Sequence, residues 1–290
     1  MADDVTLPFE KSRDYALSRR GFAGMAGLSF GLAAAGALAA DPAVDESDVN
    51  IKTADGTADA AFFHPAGRGH WPGVVMFTDI LGLRPAFRDM GRRLAAEGYA
   101  VVVPNPFYRT KKAPVLDGPF NFNDPAQRAK LAPLVQPLTD DAKKRDVAAY
   151  VAWLDTQGPV SKRRKIGVCG YCMGGPYTLF AAATAPDRVG AGGSFHGGGL
   201  VTDQPSSPHL LVAHIKASFY FGIAGNDDQR QPDAKDKLRN AFAAAHLPAT
   251  IEVYADCMHG WCVPDGAVYN KAEADRAFGD LVALYGKALA

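Results

Sequence analysis

Residues Lys165 to Pro176 read Lys-Ile-Gly-Val-Cys-Gly-Tyr-Cys-Met-Gly-Gly-Pro and carry the most informative pattern in the chain. Ile166 to Val168 is a short β-rich run, Gly170 to Gly174 is a turn, and the residues from Tyr177 onward have helical composition. A strand that turns sharply into a helix, with a nucleophile between glycines, is a nucleophile elbow, here with Cys172 in place of serine. The glycines are needed because larger side chains two positions either side of the nucleophile would collide in so tight a turn.

The predicted elbow would expose the Cys172 sulfur at the carboxyl end of a sheet. It would also leave the backbone N–H of Met173 at a helix N-terminus, where it can donate to a developing oxyanion and where the helix dipole favours a thiolate. A buried cysteine in a glycine-rich strand-to-helix turn fits the same pattern, so this stretch by itself leaves both interpretations open.

The composition predicts one large domain that acts on a small molecule. The chain has 290 residues, 48% of them hydrophobic, which is enough for a single α/β domain with a sizeable core. Its 31 basic and 31 acidic residues give a formal net charge of zero. This balance implies neither nucleic acid nor an anionic membrane surface as a partner, and it fits a small-molecule substrate better.

The first 39 residues resemble an export signal. Ser18-Arg19-Arg20-Gly21-Phe22 precedes an apolar run from Ala23 to Leu38, and Ala37-Leu38-Ala39 offers a cleavage site. Paired arginines before a mildly hydrophobic segment predict a twin-arginine signal, and hence a protein that the export machinery delivers folded to the periplasm or a similar extracytoplasmic compartment. The run is short and rich in Gly and Ala for a membrane anchor, which is one alternative; an ordinary first helix is the other. Residues 40–48 are then interpreted as a linker and residues 49–290 as the mature domain.

Strands and helices alternate along the predicted domain. Asp55-Gly56 joins two β-rich runs and predicts a hairpin. The later alternation predicts an α/β fold with a mostly parallel, doubly wound sheet flanked by helices and the elbow near its middle. The irregular, proline-rich stretch from Pro104 to Leu138 is predicted to be a long loop or cap over the site. The predicted strands outside the elbow are Val49–Thr53, Thr57–His64, Gly73–Phe77, Tyr99–Val103, Val189–Phe195, Ser218–Ala224 and Thr250–Tyr254, and the predicted helices after residue 49 include Arg84–Glu97, Asp140–Thr156, Asp233–Ala245 and Ala272–Leu289.

A cysteine nucleophile requires a base, because a free thiol with a pKa of about 8.5 is mostly protonated at neutral pH. In such a sheet the acid and then the base are expected after later strands. Asp227 follows the strand that ends at Ala224, and His259 follows the strand that ends at Tyr254. His259 is predicted to accept the thiol proton and later to activate water, with Asp227 orienting its imidazole. Asp228 is adjacent, so the choice of aspartate stays open, and a structural loop histidine is the alternative for His259.

From about residue 49 to 289 the chain resembles the dienelactone hydrolase family of the α/β-hydrolase superfamily. The matching stretches are Val74 to Gly82, the elbow Gly170-Tyr-Cys-Met-Gly-Gly, Gly225-Asn-Asp227 and His259-Gly260. The resemblance implies the α/β-hydrolase fold and a cysteine-dependent hydrolase of a small-molecule ester or lactone. It also implies carboxymethylenebutenolidase-type chemistry through an acyl-enzyme, with a Cys-His-Asp triad and no required cofactor or metal.

The resemblance assigns further roles and also shows two departures. Asp79 stands where the family usually carries a glutamate that hydrogen-bonds the resting thiol, and the N–H groups of Ile80 and Met173 would form the oxyanion hole. Asp79 is one methylene shorter than glutamate. The family's carboxylate-binding arginine after the catalytic histidine is replaced by Val263, whereas Arg128 matches a second such arginine. Dienelactone itself is therefore not the favoured substrate.

Two aromatic side chains are further candidates for substrate binding. His196 follows a predicted strand in Phe195-His-Gly-Gly-Gly, and Trp261 lies two residues after the predicted base. Burial in the core is the alternative role for each of them.

The four cysteines allow a different interpretation. Cys169-Gly-Tyr-Cys172 is a C-x-x-C pair, which is compatible with zinc binding or thiol redox chemistry. Cys257 and Cys262 flank the predicted base and are candidates for a local disulfide after export. A third possibility is a non-catalytic small-molecule-binding protein on the same scaffold.

Overall fold

Eight strands form one sheet in residues 43–290, the part of the chain that the computed structural model describes. They are β1 Val44–Thr53, β2 Gly56–Pro65, β3 Gly73–Phe77, β4 Ala100–Pro104, β5 Ile166–Tyr171, β6 Val189–Phe195, β7 Ser218–Ala224 and β8 Ala249–Tyr254. Their order across the sheet is β1-β2-β4-β3-β5-β6-β7-β8. The pairs β1/β2 and β2/β4 are antiparallel and the remaining pairs are parallel, so the predicted hairpin and the mostly parallel sheet are confirmed.

Helices cover both faces of this sheet. They are α1 Pro85–Ala96, α2 Pro125–Ala129, α3 Ala132–Val135, α4 Asp140–Leu154, α5 Gly175–Thr184, α6 Gly225–Arg230, α7 Ala234–Ala244 and α8 Lys271–Ala288. One core cluster unites the sheet with α4, α5 and α7, and a second unites it with α1 and α8. Of the predicted cap, only α2 and α3 are helical. Among residues 43–290, no helix has both the length and the apolar character that crossing a bilayer requires.

The predicted domain boundaries need one correction. The signal segment, residues 1–39, lies outside the described residues, but Val44 to Asp48 were assigned to the linker and instead begin β1. The acidic, proline-containing sequence of residues 41–48 suggests a linker. In the folded chain, Glu46 accepts hydrogen bonds from Arg88 and Arg92 of α1, and Asp48 accepts one from Arg88.

The parallel strands bring distant residues to one edge of the sheet. The central strands β3 and β5 are buried along their whole length, as strands covered by helices on both faces should be. Five residues follow the carboxyl ends of consecutive parallel strands: Asp79 after β3, Cys172 after β5, His196 after β6, Asp227 after β7 and His259 after β8. Chemistry-bearing side chains therefore meet at this edge, where open α/β sheets bind ligands.

Candidate active site

Cys172 occupies the tip of the turn between β5 and α5. Its φ is +52°, a left-handed conformation that a non-glycine residue adopts only when its surroundings impose it. The preceding Tyr171 is buried, whereas Cys172 is partly exposed. The interpretation of Cys172 as a buried structural cysteine is therefore wrong, because this residue is only partly buried at the tip of a strained turn.

The glycines of the elbow are required by close packing. A Cβ atom on Gly170 would lie 2.0 Å from the carbonyl oxygen of Gly174, and one on Gly174 would lie 2.5 Å from the carbonyl oxygen of Phe77. A Cβ on Gly175 would lie 2.5 Å from the Cα of Gly197. Each distance is far below a van der Waals contact, so the elbow packs directly against the ends of β3 and β6.

The structure identifies the acid that partners His259. The Nδ1 atom of His259 lies 2.6 Å from Oδ2 of Asp227, and its backbone N–H donates to Oδ1 of Asn226 at 2.8 Å. The neighbouring Asp228 instead accepts a hydrogen bond from Lys235 at 2.6 Å. Asp227 is therefore the aspartate placed to orient the imidazole, and Asp228 is held in a separate ion pair.

The electrostatics of His259 suit a base that becomes charged. Burial by itself lowers the pKa of this imidazole, but its interactions with Asp227 and Cys172 outweigh burial and raise the pKa to about 10. The side chain is also 29% exposed, so the ring borders solvent. An imidazolium is thus stabilised between a carboxylate on one side and a sulfur on the other.

Two backbone N–H groups lie in the segments that meet at the elbow. A Cβ on Gly174 would approach the carbonyl oxygen of Thr78 to 2.6 Å, so the turn after Cys172 touches the loop that carries Ile80. The N–H groups of Ile80 and Met173 have no intramolecular acceptor within residues 43–290. Unpaired N–H groups next to a nucleophile are the donors that an oxyanion hole requires.

Asp79 is engaged by an arginine that the sequence analysis missed. Its two carboxylate oxygens accept hydrogen bonds from Arg84 at 2.7 and 2.8 Å, and Oδ1 also accepts the N–H of Leu81 at 2.9 Å. Arg84 in turn donates to both oxygens of Asp265, on the loop that follows His259, at 2.7 and 2.9 Å. These bonds account for all side-chain hydrogen bonds of Asp79 in the described part of the chain, so the implied bond to the resting thiol is not formed.

The candidate substrate-binding residues do not share one exposed surface: His196 and Trp261 are buried beside the elbow and Arg128 lies on α2. Trp261 is fully buried and His196 is 1% exposed, so both lie in the core, which was the alternative role for each. Trp261 stacks on Tyr254 with ring centroids 4.7 Å apart and meets His196 edge to face. Arg128 lies on α2 and donates to the carbonyl oxygen of Phe122 at 2.6 Å.

The cysteine pair does not form a joint site. Cys169 is fully buried inside β5, where burial raises the pKa of its thiol to about 12, whereas Cys172 emerges at the tip of the elbow. Cys257 and Cys262 are both buried free thiols. Residues 43–290 contain no group of three or more His, Cys, Asp or Glu side chains placed to hold a metal ion. Nothing in this arrangement favours the zinc or thiol-redox interpretation.

A cavity of about 420 Å³ lies away from this site, between α1 and α8. Met90, Arg93, Tyr171 and Phe278 are among the residues that line it, and the His259–Asp227 pair and Cys172 are not. Tyr171, at the end of the elbow strand, lines this cavity and is joined to Cys172 by one peptide bond.

Comparison with known proteins agrees with this geometry. The profile of the dienelactone hydrolase family matches residues 58–289. A carboxymethylenebutenolidase of Rhodococcus opacus is 29% identical over 208 residues, which cover 71% of this chain and 77% of the relative. A putative carboxymethylenebutenolidase of Methylorubrum extorquens is 29% identical over 219 residues, covering 74% of this chain and 71% of the relative.

Solved structures support the fold. A putative dienelactone hydrolase from Klebsiella pneumoniae superposes with a TM-score of 0.72 at 22% identity, covering 84% of this chain and 99% of that one. An acylaminoacyl peptidase from Pyrococcus horikoshii superposes with a TM-score of 0.61 at 14% identity, covering 85% of this chain and 42% of the peptidase. The family profile, which spans most of the chain, and the nucleophile elbow together show that this protein belongs to the dienelactone hydrolase family and is a hydrolase of ester or lactone bonds.

Proposed function

We propose that the protein hydrolyses a small-molecule ester or lactone through a covalent acyl-enzyme on Cys172. The observation that carries the proposal is the 2.6 Å contact between His259 and Asp227, on an imidazole whose ring centroid lies 5.1 Å from that of His196, which accepts the Cys172 amide N–H. Nucleophile, base and orienting acid are thus neighbours, which is the arrangement that cysteine hydrolysis requires.

In the first half of the reaction, the thiol proton already resides on His259, whose pKa is raised to about 10, and the thiolate sulfur of Cys172 attacks the substrate carbonyl carbon. The carbonyl π electrons move to oxygen, and the N–H groups of Ile80 and Met173 donate to the resulting oxyanion. When the oxyanion collapses, the carbon–oxygen bond of the ester breaks and the leaving oxygen takes the proton from His259. In a lactone this oxygen stays on the acyl chain as a hydroxyl group.

The second half returns the enzyme to its starting state. His259 removes a proton from water, and the resulting hydroxide adds to the thioester carbonyl, again forming an oxyanion at Ile80 and Met173. Collapse breaks the carbon–sulfur bond, the sulfur of Cys172 departs as a thiolate beside protonated His259, and a carboxylic acid leaves. Throughout, the Asp227 carboxylate stabilises the imidazolium.

We assign substrate choice to the segment from Pro104 to Leu138. Its buried apolar side chains form a cluster against which the side chain of Met173 packs, so this segment contacts the elbow directly. The cluster consists of Phe107, Val115, Leu134 and Leu138. A Cβ on Gly82 would also meet Phe107 at 3.1 Å, so the loop that carries Ile80 is enclosed by the same segment.

We also propose that the protein acts outside the cytoplasm after export in the folded state. The support is the Arg19-Arg20 pair before the apolar run. Replacing both arginines with lysine should retain the full-length protein in the cytoplasm of fractionated cells, whereas Arg13→Lys should leave export unchanged. Equal periplasmic amounts of the double variant and wild type would overturn the export proposal.

The hydrolytic mechanism is tested with an aryl ester and a panel of simple lactones. Cys172→Ala and His259→Ala should each lower kcat/KM by about a hundredfold or more, while Cys257→Ala, which removes a different thiol, should stay close to wild type. Activity should also persist with a chelator. Retained activity in Cys172→Ala would overturn the mechanism, and a wild type inactive on every substrate that still binds these molecules would favour the binding-protein interpretation.

A further inference from the structure

Both backbone polar groups of Cys172 are held by the loop that follows β6. Its N–H donates to Nδ1 of His196 at 3.1 Å, and its carbonyl oxygen accepts the N–H of Gly198 at 3.1 Å. The His196 imidazole therefore binds the backbone N–H of Cys172, and the backbone of Gly198 binds its carbonyl oxygen.

Cys172 and His196 occupy matching positions at the ends of two neighbouring strands. Tyr171 and Phe195 pair in register at the ends of β5 and β6, so Cys172 and His196 leave the sheet side by side. Both are non-glycine residues with positive φ, +52° and +40°. The N–H of His196 donates to the carbonyl oxygen of Gly222 at 2.8 Å, which ties this loop to β7. Cys172, which has a strained backbone, is thus held by His196, which is also strained and is itself hydrogen-bonded to β7.

The bond to Cys172 determines where the proton of His196 lies. Because Nδ1 accepts a hydrogen bond, it carries no proton, and the neutral ring is protonated on Nε2. Nε2 is buried and has no hydrogen-bond partner within residues 43–290. Burial, and then the positive charge on nearby His259, lower the pKa of His196 well below its usual range. His196 therefore stays neutral beside a histidine that becomes charged, with ring centroids 5.1 Å apart.

We propose that His196 is a positioning residue that holds Cys172 in its left-handed conformation through the Nδ1 acceptor, and thereby aims the thiol at His259. The proposal rests on the proposed role of Cys172 as the nucleophile. A thiol on a turn that can relax meets the base in fewer productive arrangements, and small misplacements of reacting groups are costly to rate. His196 is 1% exposed and its hydrogen bond is to the backbone of Cys172, so its effect is expected in kcat and not in KM.

Two variants with side chains of similar shape separate the effect of the hydrogen bond on kcat from the effect of packing. In His196→Asn, Oδ1 stands the same number of bonds from Cα as Nδ1, and asparagine tolerates positive φ. His196→Leu has the same branched skeleton without an acceptor. In the mature enzyme on an aryl ester, His196→Leu should lower kcat by about tenfold or more with KM within about twofold of wild type, and His196→Asn should recover most of that loss.

A second measurement keeps the test decisive where His196→Leu fails to fold. Nitrogen-15 NMR of the histidine rings in the wild-type chain should show His196 neutral, protonated on Nε2, with Nδ1 coupled to the Cys172 amide proton. Equal kcat in the two variants, or a proton on Nδ1, would overturn the positioning role. Failure of the hydrolytic proposal is seen separately, as retained activity in Cys172→Ala, while the NMR result on the hydrogen bond stands.

Discussion

The guanidinium group of Arg84 binds both carboxylate oxygens of Asp79, at 2.7 and 2.8 Å, and both side chains are largely buried, 13% and 12% exposed. Arg84 also binds Asp265 on the loop after His259, so one side chain joins the two loops that carry the proposed oxyanion donor Ile80 and the proposed base His259. These loops are far apart in sequence. A single ion-pair network therefore fixes their spacing across the site.

Removing the guanidinium should destabilise the protein because it leaves the Asp79 carboxylate buried without a counter-charge. Arg84→Met is expected to lower the free energy of unfolding by about 3 kcal/mol in urea titrations. The matched control is Asp265→Asn, whose side chain is 46% exposed and whose loss should cost only about 0.5 kcal/mol. Equal losses of unfolding free energy in the two variants would contradict the inference that the Asp79–Arg84 pair contributes more than the Arg84–Asp265 pair.

The adjacent aspartates of Gly225-Asn-Asp-Asp should respond differently to the same substitution. Asp227→Asn removes the charge that stabilises the His259 imidazolium, so kcat/KM for an aryl ester should fall by about a hundredfold or more. Asp228→Asn removes a bond to Lys235 and should leave kcat/KM within about twofold of wild type. The reverse ranking, measured by steady-state kinetics, would reassign the acid.

Much of the fold could be predicted because its signals are local. The strands covered on both faces, such as β3, are continuous apolar runs, and the Asp55-Gly56 dipeptide itself favours a tight hairpin turn. The order of Cys172, Asp227 and His259 was sufficient to predict that Asp227 and His259 meet, since parallel strands bring their carboxyl ends to one edge.

The rest depends on contacts between residues that are distant in sequence. Arg84 and Asp265 are 181 positions apart, and no local pattern connects them. The sequence left substrate binding and core burial both open for His196, because a polar aromatic residue after a strand looks the same whether its ring turns toward solvent or into the core. Only the fold reveals that its Nδ1 meets the Cys172 amide.

The stability that Asp227 provides should depend on pH through His259. The pKa of this imidazole is about 10 in the folded protein against 6.5 for an ordinary histidine. A histidine whose pKa is raised by folding stabilises the fold fully below its unfolded pKa, and this contribution is lost as the pH rises through the folded pKa. The difference in unfolding free energy between wild type and Asp227→Asn should therefore be greatest below pH 6.5 and shrink toward pH 10. For Asp228→Asn, the difference in unfolding free energy from wild type should change little over this range. A difference for Asp227→Asn that does not change with pH would contradict a charged Asp227–His259 pair.

Adding one methyl group to the elbow should disable the site by displacing the oxyanion loop. In Gly174→Ala the new Cβ would lie 2.5 Å from the carbonyl oxygen of Phe77 and 2.6 Å from that of Thr78, and these backbone atoms have no flexible end to move away. We expect a loss of about 1–3 kcal/mol in unfolding free energy from overpacking, and a fall in kcat of about tenfold or more as the donors Ile80 and Met173 separate. Gly198→Ala is the control, since a Cβ there meets nothing within 4 Å and the N–H that binds Cys172 is retained. If urea titrations and ester kinetics give the same values for both variants, the close contact between the elbow and the end of β3 does not govern the oxyanion site.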